Sequence, residues 1–257
     1  FENSPGLLIG EEGFGLIKYT MGMLNGARLG IAFQSTGLAT AAFDEAGKYA
    51  RERIQFGSPL EEIPAVRKIL NRMERDIAAM RSLYLEGCRA MDMYYWRSIH
   101  LTEDGASEKE AKNDTVVKYW EKLAGVLTPL CKYYCAETCV RITGDGVQVH
   151  GGAGFTEDYD AARLYRDARI TTIYDGTSQI QVLAAIGGIV QGMSGSGQLR
   201  EYFNLELERA DDAQMLQKLY NLFDAIVSSY RALESDQKEY YAEETVLACA
   251  RFWGGLL

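Results

Sequence analysis

The feature that most constrains this chain is a pair of long apolar repeats whose steps alternate between three and four residues. Ile63, Val66, Leu70, Met73, Ile77, Met80 and Tyr84 form the first, and Val117, Trp120, Ala124, Leu127, Cys131 and Tyr134 the second. That spacing puts every apolar side chain on one helical face and makes a seam against which other helices pack. It predicts helices over about 61–97 and 107–143, with Ser107 and Glu110 forming a capping box at the start of the second. Upstream, residues 14–53 hold no proline, and Gly22, Gly26 and Gly30 recur every fourth position as a smooth ridge that a second helix could approach closely. Tyr174-Asp175-Gly176-Thr177 opens a further helix to about Val190.

Only 4 prolines stand among 257 residues rich in Ala, Leu, Glu, Lys and Arg, which agrees with an all-α fold. The expected architecture is a four-helix up-and-down bundle over residues 14–192 with extra C-terminal helices. Residues 1–13 carry Pro5, Gly6, Gly10 and Gly13 around Leu7-Leu8-Ile9 and read as the end of a preceding β-domain or a linker. The glycines Gly144, Gly146, Gly151, Gly152 and Gly154 should end the third long helix near Thr143, before a short segment at 159–167. Residues 191–197, QGMSGSG, suggest flexibility and place a linker at 193–198. Beyond it, 199–257 read as an extension of two acidic amphipathic helices, 199–233 and 240–257. A start at Phe1 and a stop inside the apolar Gly254-Gly255-Leu256-Leu257 suggest a truncated piece of something longer.

A net charge of −9 argues against nucleic acid or anionic lipid as a partner, since both reward clustered Lys and Arg. Cys88, Cys131, Cys135, Cys139 and Cys249 show no CxxC pair, and with only His100 and His150 beside them no zinc spacing forms, so no metal is expected. They read as reduced thiols of a cytoplasmic protein. No apolar run has membrane-spanning length, so no membrane insertion is expected. His150 has no carboxylate nearby in sequence to orient it and is assigned no role.

Three segments, in order, resemble the acyl-CoA dehydrogenase family across most of residues 14–190. Ala50-Arg51-Glu52-Arg53-Ile54-Gln55-Phe56-Gly57 is similar to the family's YA..R..FG. Gln148-Val149-His150-Gly151-Gly152-Ala153-Gly154-Phe155 is similar to its Q..GG.G(F/Y) loop. Tyr165-Arg166-Asp167-Ala168-Arg169, continued by Ile173-Tyr174-Asp175-Gly176-Thr177-Ser178-Gln179-Ile180-Gln181, resembles RDAR...IYEGT..IQ. The resemblance implies an FAD flavoprotein that desaturates an acyl-CoA thioester and passes electrons to an electron-transfer flavoprotein, as a homodimer or homotetramer. It implies FAD contacts from Arg53, Gln55, Phe56, Gln148, Gly151, Gly152, Thr177 and Gln179, some of them across a subunit boundary. It further implies acyl-CoA contacts from Arg28, Tyr174 and Gly176, and a catalytic base at Asp175.

Chemistry supports those residue types. Arginine's planar fork matches phosphate oxygens, glycines let a backbone approach a ligand, and removing an α-proton while a hydride leaves the β-carbon needs a placed carboxylate. The sequence departs from the family pattern at Asp175, one methylene shorter than the usual glutamate, and at Pro64, where a glutamine more often faces the cofactor. Ala27, before Arg28, leaves the alternative base position of some family members empty. Other readings remain: Asp175 as part of a helix N-cap, Arg53 as a solvated helix-end cation, the glycines as turns. At the level of the whole protein the alternatives are an acyl-CoA oxidase and an alkylation-response flavoprotein. The acidic tail disfavours the latter, whose extension binds DNA. A chain lacking the family's N-terminal domains is expected to be colourless and inactive alone.

Overall fold

A computed structural model describes residues 2–257; Phe1, where the expected segment 1–13 begins, and the side chains of Ile17, Lys18 and Met21 lie outside the described residues. Four long helices dominate: α1 (Met21–Glu52), α2 (Pro64–Glu103), α4 (Thr115–His150) and α7 (Ser178–Gly192), with the short α3 (Glu108–Asn113) before α4. Between α4 and α7 lie α5 (Gly152–Phe155) and α6 (Ala161–Ile170). α4 is the hub, packing on α1, α2 and α7. Its residues are buried without interruption from Val126 to Ala136, as expected of a helix that is enclosed on every side.

Cross-helix pairs set the up-and-down order. Arg72 meets Asp145, Arg141 meets Asp76, and Arg97 meets Asp114, so α2 runs antiparallel to α4. Ser178 reaches Glu137 and Gly188 faces Val126, so α7 does likewise. Ala42 sits on Gly146 and Tyr49 stacks on His150, which makes α1 parallel to α4. At Gly87 a Cβ would come within 2.9 Å of both Cys131 Sγ and Leu29 Cδ2; only a glycine lets α1, α2 and α4 converge there.

Several boundaries differ from those read in the sequence. α4 continues through Gly144 and Gly146 to His150, ending at Gly151 with φ 61°. Glycine costs a helix about 1 kcal/mol, but Gly146 is buried against the Ala42 backbone, and that close packing outweighs the penalty. The helix expected from 107 is two helices, because Asp114 accepts from Val116 N and Val117 N and starts α4 afresh. The capping box of Ser107 and Glu110 is present. α1 begins at Met21 after a π-helical turn, Gly15–Thr20, and the ridge of Gly22, Gly26 and Gly30 is open, with nothing within 4 Å of a Cβ at any of the three. Residues 2–14 contain no strand. After α1 comes a small antiparallel hairpin, β1 (Ile54–Gln55) and β2 (Ser58–Pro59), turned by Phe56 and Gly57 with φ 55° and 90°, followed by a 3-10 turn, Leu60–Glu62. Pro64 then occupies the first helical position of α2, where a missing N–H is harmless.

The C-terminal part comprises α8 (Gln198–Arg209), α9 (Ala213–Arg231), α10 (Ser235–Tyr240) and α11 (Ala242–Leu256). The helix expected over 199–233 is interrupted before α9, which Asp212 caps through Met215 N. Residues 193–197 make a tight reversal in which a Cβ on Gly197 would lie 2.2 Å from Gly192 O. α11 packs on α2, α4, α7 and α9. Trp253, Phe203, Phe223 and Val246 share one continuous apolar core with Met80, Leu127 and Ile189 of the bundle. Hydrogen bonds cross the same boundary, Tyr133 donating to Glu243 at 2.9 Å and Tyr202 to Glu86 at 2.9 Å. Among the described residues no helix is long and apolar enough to cross a membrane.

Candidate active site

The turn between α6 and α7 carries the most unusual backbone in the chain. α6 is closed by Thr171, whose hydroxyl donates to Ala168 O at 2.7 Å, and α7 is anchored back by Ser178 N donating to Thr172 O at 3.0 Å. Between them Asp175 and Gly176 adopt φ 51° and 96°, both left-handed. Glycine takes that region freely; among other residues Asp and Asn tolerate it best, which gives a backbone reason for aspartate at this position. Both carbonyls point into the protein. Gln181 Nε2 on α7 donates to Asp175 O at 3.1 Å and Gly176 O at 3.0 Å, and Lys132 Nζ on α4 donates to Gly176 O at 2.8 Å.

Held by its carbonyls, Asp175 presents a half-buried side chain. Among the described residues its carboxylate has no hydrogen-bond or ion-pair partner, and its N–H has no acceptor; α7 is capped at Thr177, without a side-chain cap bond. The carboxylate is therefore not consumed by the helix terminus. Two buried cations lie within its electrostatic reach. Arg28 on α1 is 6% exposed, donates to Asn25 Oδ1 at 3.2 Å and leaves Nε without a partner. Burial lowers its pKa, and the Asp175 charge partly opposes that shift. Burial also brings Lys132 down to about 8, opposed by Glu137 and Asp175 and reinforced by Arg28. Tyr174 donates to Gln34 on α1; burial, then Asp175, pushes its hydroxyl upward. Arg28, Tyr174, Asp175 and Gly176 are thus brought together, with Thr177 and Gln179 at the mouth of α7.

The remaining predicted residues gather elsewhere, at the end of the bundle where α1 and α4 finish. Arg53 follows the last turn of α1, Gln55 and Phe56 lie in the hairpin, and Gln148, Gly151 and Gly152 sit where α4 gives way to α5. All six are exposed. Among the described residues Arg53 has no acidic partner within 4.0 Å, and a Cβ on Gly151 or Gly152 would meet nothing within 4 Å. An unpaired guanidinium beside open glycine backbone fits a diphosphate. His150 is buried beneath this turn, Nδ1 lying 2.7 Å from Gly146 O, and stacks on Tyr49. At 1.5 Å per residue, α4 separates Gln148 from Glu137, beside the base turn, by roughly 16 Å.

Sequence reasoning passed over Lys132, Glu137 and Gln181. The signal was present: Lys132 and Glu137 are the only charged residues in the otherwise apolar stretch LCKYYCAETC, and a charge inside a buried run needs partners. It also passed over a basic groove of about 410 Å³ lined by Pro64, Arg67, Lys68, Asn71 and Arg75, at the N-terminal end of α2 that adjoins the hairpin. Another cleft, about 600 Å³, lies between α4, α7 and α8 and includes none of the predicted residues. Among the described residues no cluster is placed to hold a metal ion, and all five cysteines are free thiols.

The chain is similar to several known proteins. The chain is 36% identical over 191 residues to 3-methylmercaptopropionyl-CoA dehydrogenase of Ruegeria pomeroyi, covering 73% of this chain and 31% of that protein. Two solved structures share its fold. Acyl-CoA dehydrogenase from Bacillus anthracis, complexed with FAD, superposes with a TM-score of 0.70 at 24% identity, covering 95% of this chain and 43% of that one. Caenorhabditis elegans ACDH-11 in complex with C11-CoA gives 0.75 at 22% identity, covering 96% and 41%. The chain thus spans less than half the length of these proteins. Residues 13–187 match the model described as "Acyl-CoA dehydrogenase, C-terminal domain", and the chain accordingly belongs to the acyl-CoA dehydrogenase family.

Proposed function

We propose that this chain is the C-terminal helical part of an FAD-dependent enzyme that converts an acyl-CoA thioester to its α,β-unsaturated product, with Asp175 as the base. The observation that carries the reading is the unpartnered Asp175 carboxylate on a turn whose own carbonyls are fixed by Gln181 and Lys132. A base held by rigid elements and left free at its reactive end is the arrangement proton abstraction requires.

In this mechanism the Asp175 carboxylate takes a proton from the carbon next to the thioester carbonyl. The Asp175 N–H, which has no acceptor among the described residues, donates to the thioester oxygen and stabilises the charge that develops there. Tyr174 and Gly176 line the approach, and Arg28 acts from beneath the turn. FAD supplies the acceptor for the hydride leaving the β-carbon. Arg53, Gln55, Phe56, Gln148, Gly151, Gly152, Thr177 and Gln179 would hold it. The family resemblance implies that each flavin draws on two copies of the chain, in a homodimer or homotetramer, and the separation of the hairpin and glycine-turn group from Asp175 is compatible with that. An electron-transfer flavoprotein would then reoxidise the flavin. Alone, the 257-residue chain is expected to be colourless.

The test is anaerobic bleaching of the flavin absorbance in the full-length protein by a panel of acyl-CoAs, native against Asp175→Asn. Asparagine keeps the left-handed backbone while removing the base. Bleaching by at least one saturated acyl-CoA, abolished in Asp175→Asn, is expected; undiminished bleaching in the variant rejects Asp175 as the base.

A further inference from the structure

We propose that Lys132 is the positioning residue of this site, aiming the Asp175 carboxylate by clamping the Gly176 carbonyl to α4. The inference rests on the assignment of Asp175 as base and goes beyond it to a residue outside the motif that carries the base.

Lys132 lies on the most deeply enclosed stretch of α4, and its exposure is 0%. A lysine is almost never fully buried without a reason, because desolvating an ammonium is costly. Here the head group has one specific task within the described residues, the 2.8 Å hydrogen bond to Gly176 O. That carbonyl also accepts from Gln181 Nε2 at 3.0 Å, so one oxygen ties the turn to both α4 and α7. Releasing the Lys132 tie leaves the carbonyls of the left-handed pair Asp175–Gly176 held by Gln181 alone, which loosens the pair while Tyr174 to Gln34 and Ser178 to Glu137 still hold the flanks of the turn. A pivot of about 1 Å at a reacting carboxylate can lower a rate on the order of 10²-fold.

The same ammonium contributes charge. The ionisable groups facing it are Glu137 on its own helix, Asp175 on the turn and Arg28 from α1, while α7 offers the uncharged Gln181 and Ser178. Glu137 is engaged by the Ser178 hydroxyl, whereas among the described residues the Asp175 carboxylate accepts no hydrogen bond. Lys132 therefore holds the turn while its charge faces Glu137 and Asp175 together.

The experiment compares native full-length protein, carrying FAD, with Lys132→Met and Lys132→Gln. Both remove the charge, and Gln retains a polar head if the Met variant does not fold. Two readouts are taken: the limiting flavin-reduction rate and the half-saturating concentration of a bleaching acyl-CoA, and amide hydrogen exchange of residues 172–178 without substrate. Expected are a fall in the limiting rate of about 10-fold or more with the half-saturating concentration little changed, and faster exchange in the turn. A folded variant of either kind with a native limiting rate or native exchange in the turn overturns the proposal, even if its melting temperature falls. Failure of the underlying reading is distinct: undiminished bleaching in Asp175→Asn removes the base itself, whereas a dead Asp175→Asn beside native-like Lys132 variants removes only Lys132.

Discussion

Replacing Trp253 by alanine tests whether the C-terminal helices are part of the bundle's core or a separate attachment. Trp253 is 0% exposed, with its ring 5.3 Å from that of Tyr202 and 5.0 Å from that of Phe203. Truncating a buried tryptophan or phenylalanine to alanine costs about 3–5 kcal/mol, the larger values arising where neighbours cannot collapse into the cavity. Collapse is restricted here, because a Cβ on the adjacent Gly254 would lie only 3.3 Å from Ala79 O, so α11 already touches α2 backbone to backbone. We expect about 4 kcal/mol, which for a chain of this size corresponds to a fall in Tm of roughly 8–16 °C. Calorimetry of the 257-residue chain should show a single transition that moves as a whole. Two transitions, only one of which shifts, would refute the reasoning and make residues 199–257 an independent unit.

Three further outcomes follow from the site. Gly176→Ala forces a side chain onto φ 96° and puts its Cβ 2.6 Å from Gln181 Nε2; the turn should lose roughly 2–3 kcal/mol, read as faster amide exchange at 172–178, while Gly152→Ala leaves exchange there unchanged. Burial holds Lys132 at about 8, below the ordinary lysine value of 10.5, so between those values the unfolded chain binds the extra proton and stability rises with pH. The buried thiols of Cys135 and Cys139, pushed up to about 12, act in the opposite direction above about pH 9. The Lys132 contribution is therefore read as native minus Lys132→Met in urea unfolding, a difference that should grow by roughly 2–3 kcal/mol from pH 8 to 10.5; a flat difference contradicts the burial argument. Arg53→Met in the full-length protein should weaken flavin binding by about 10-fold or more in equilibrium dialysis, and unchanged affinity would remove Arg53 from the site.

The bundle was legible in the sequence because its seams are long and regular: the repeat from Ile63, the cap residue of α2, runs along α2, and the repeat from Val117 lies within α4. What misled was local chemistry in competition with tertiary packing. Gly144 and Gly146 read as helix stops, yet both stay helical, Gly146 packed on Ala42 of α1 and Gly144 facing Tyr165 of α6, and Asp114 breaks a periodic run by capping it. The GSG stretch read as flexible, whereas Gly192 and Gly197 touch because they lack side chains. In the site, Asp175 and Arg53 could be picked out because they stand in recognisable motifs. Lys132 and Gln181 could not, since their role depends on a carbonyl more than forty residues away from Lys132 along the chain, a contact that only the packing of α4 on the turn creates.

The most direct test isolates the proton step. The full-length protein with FAD is incubated in deuterated water with an acyl-CoA whose β-carbon is replaced by sulfur, so that no hydride can leave, and α-hydrogen exchange is followed by mass spectrometry. The account predicts rapid exchange with the native protein and a loss of about 10²-fold or more in Asp175→Asn. Exchange at the native rate in that variant would show that another group takes the proton.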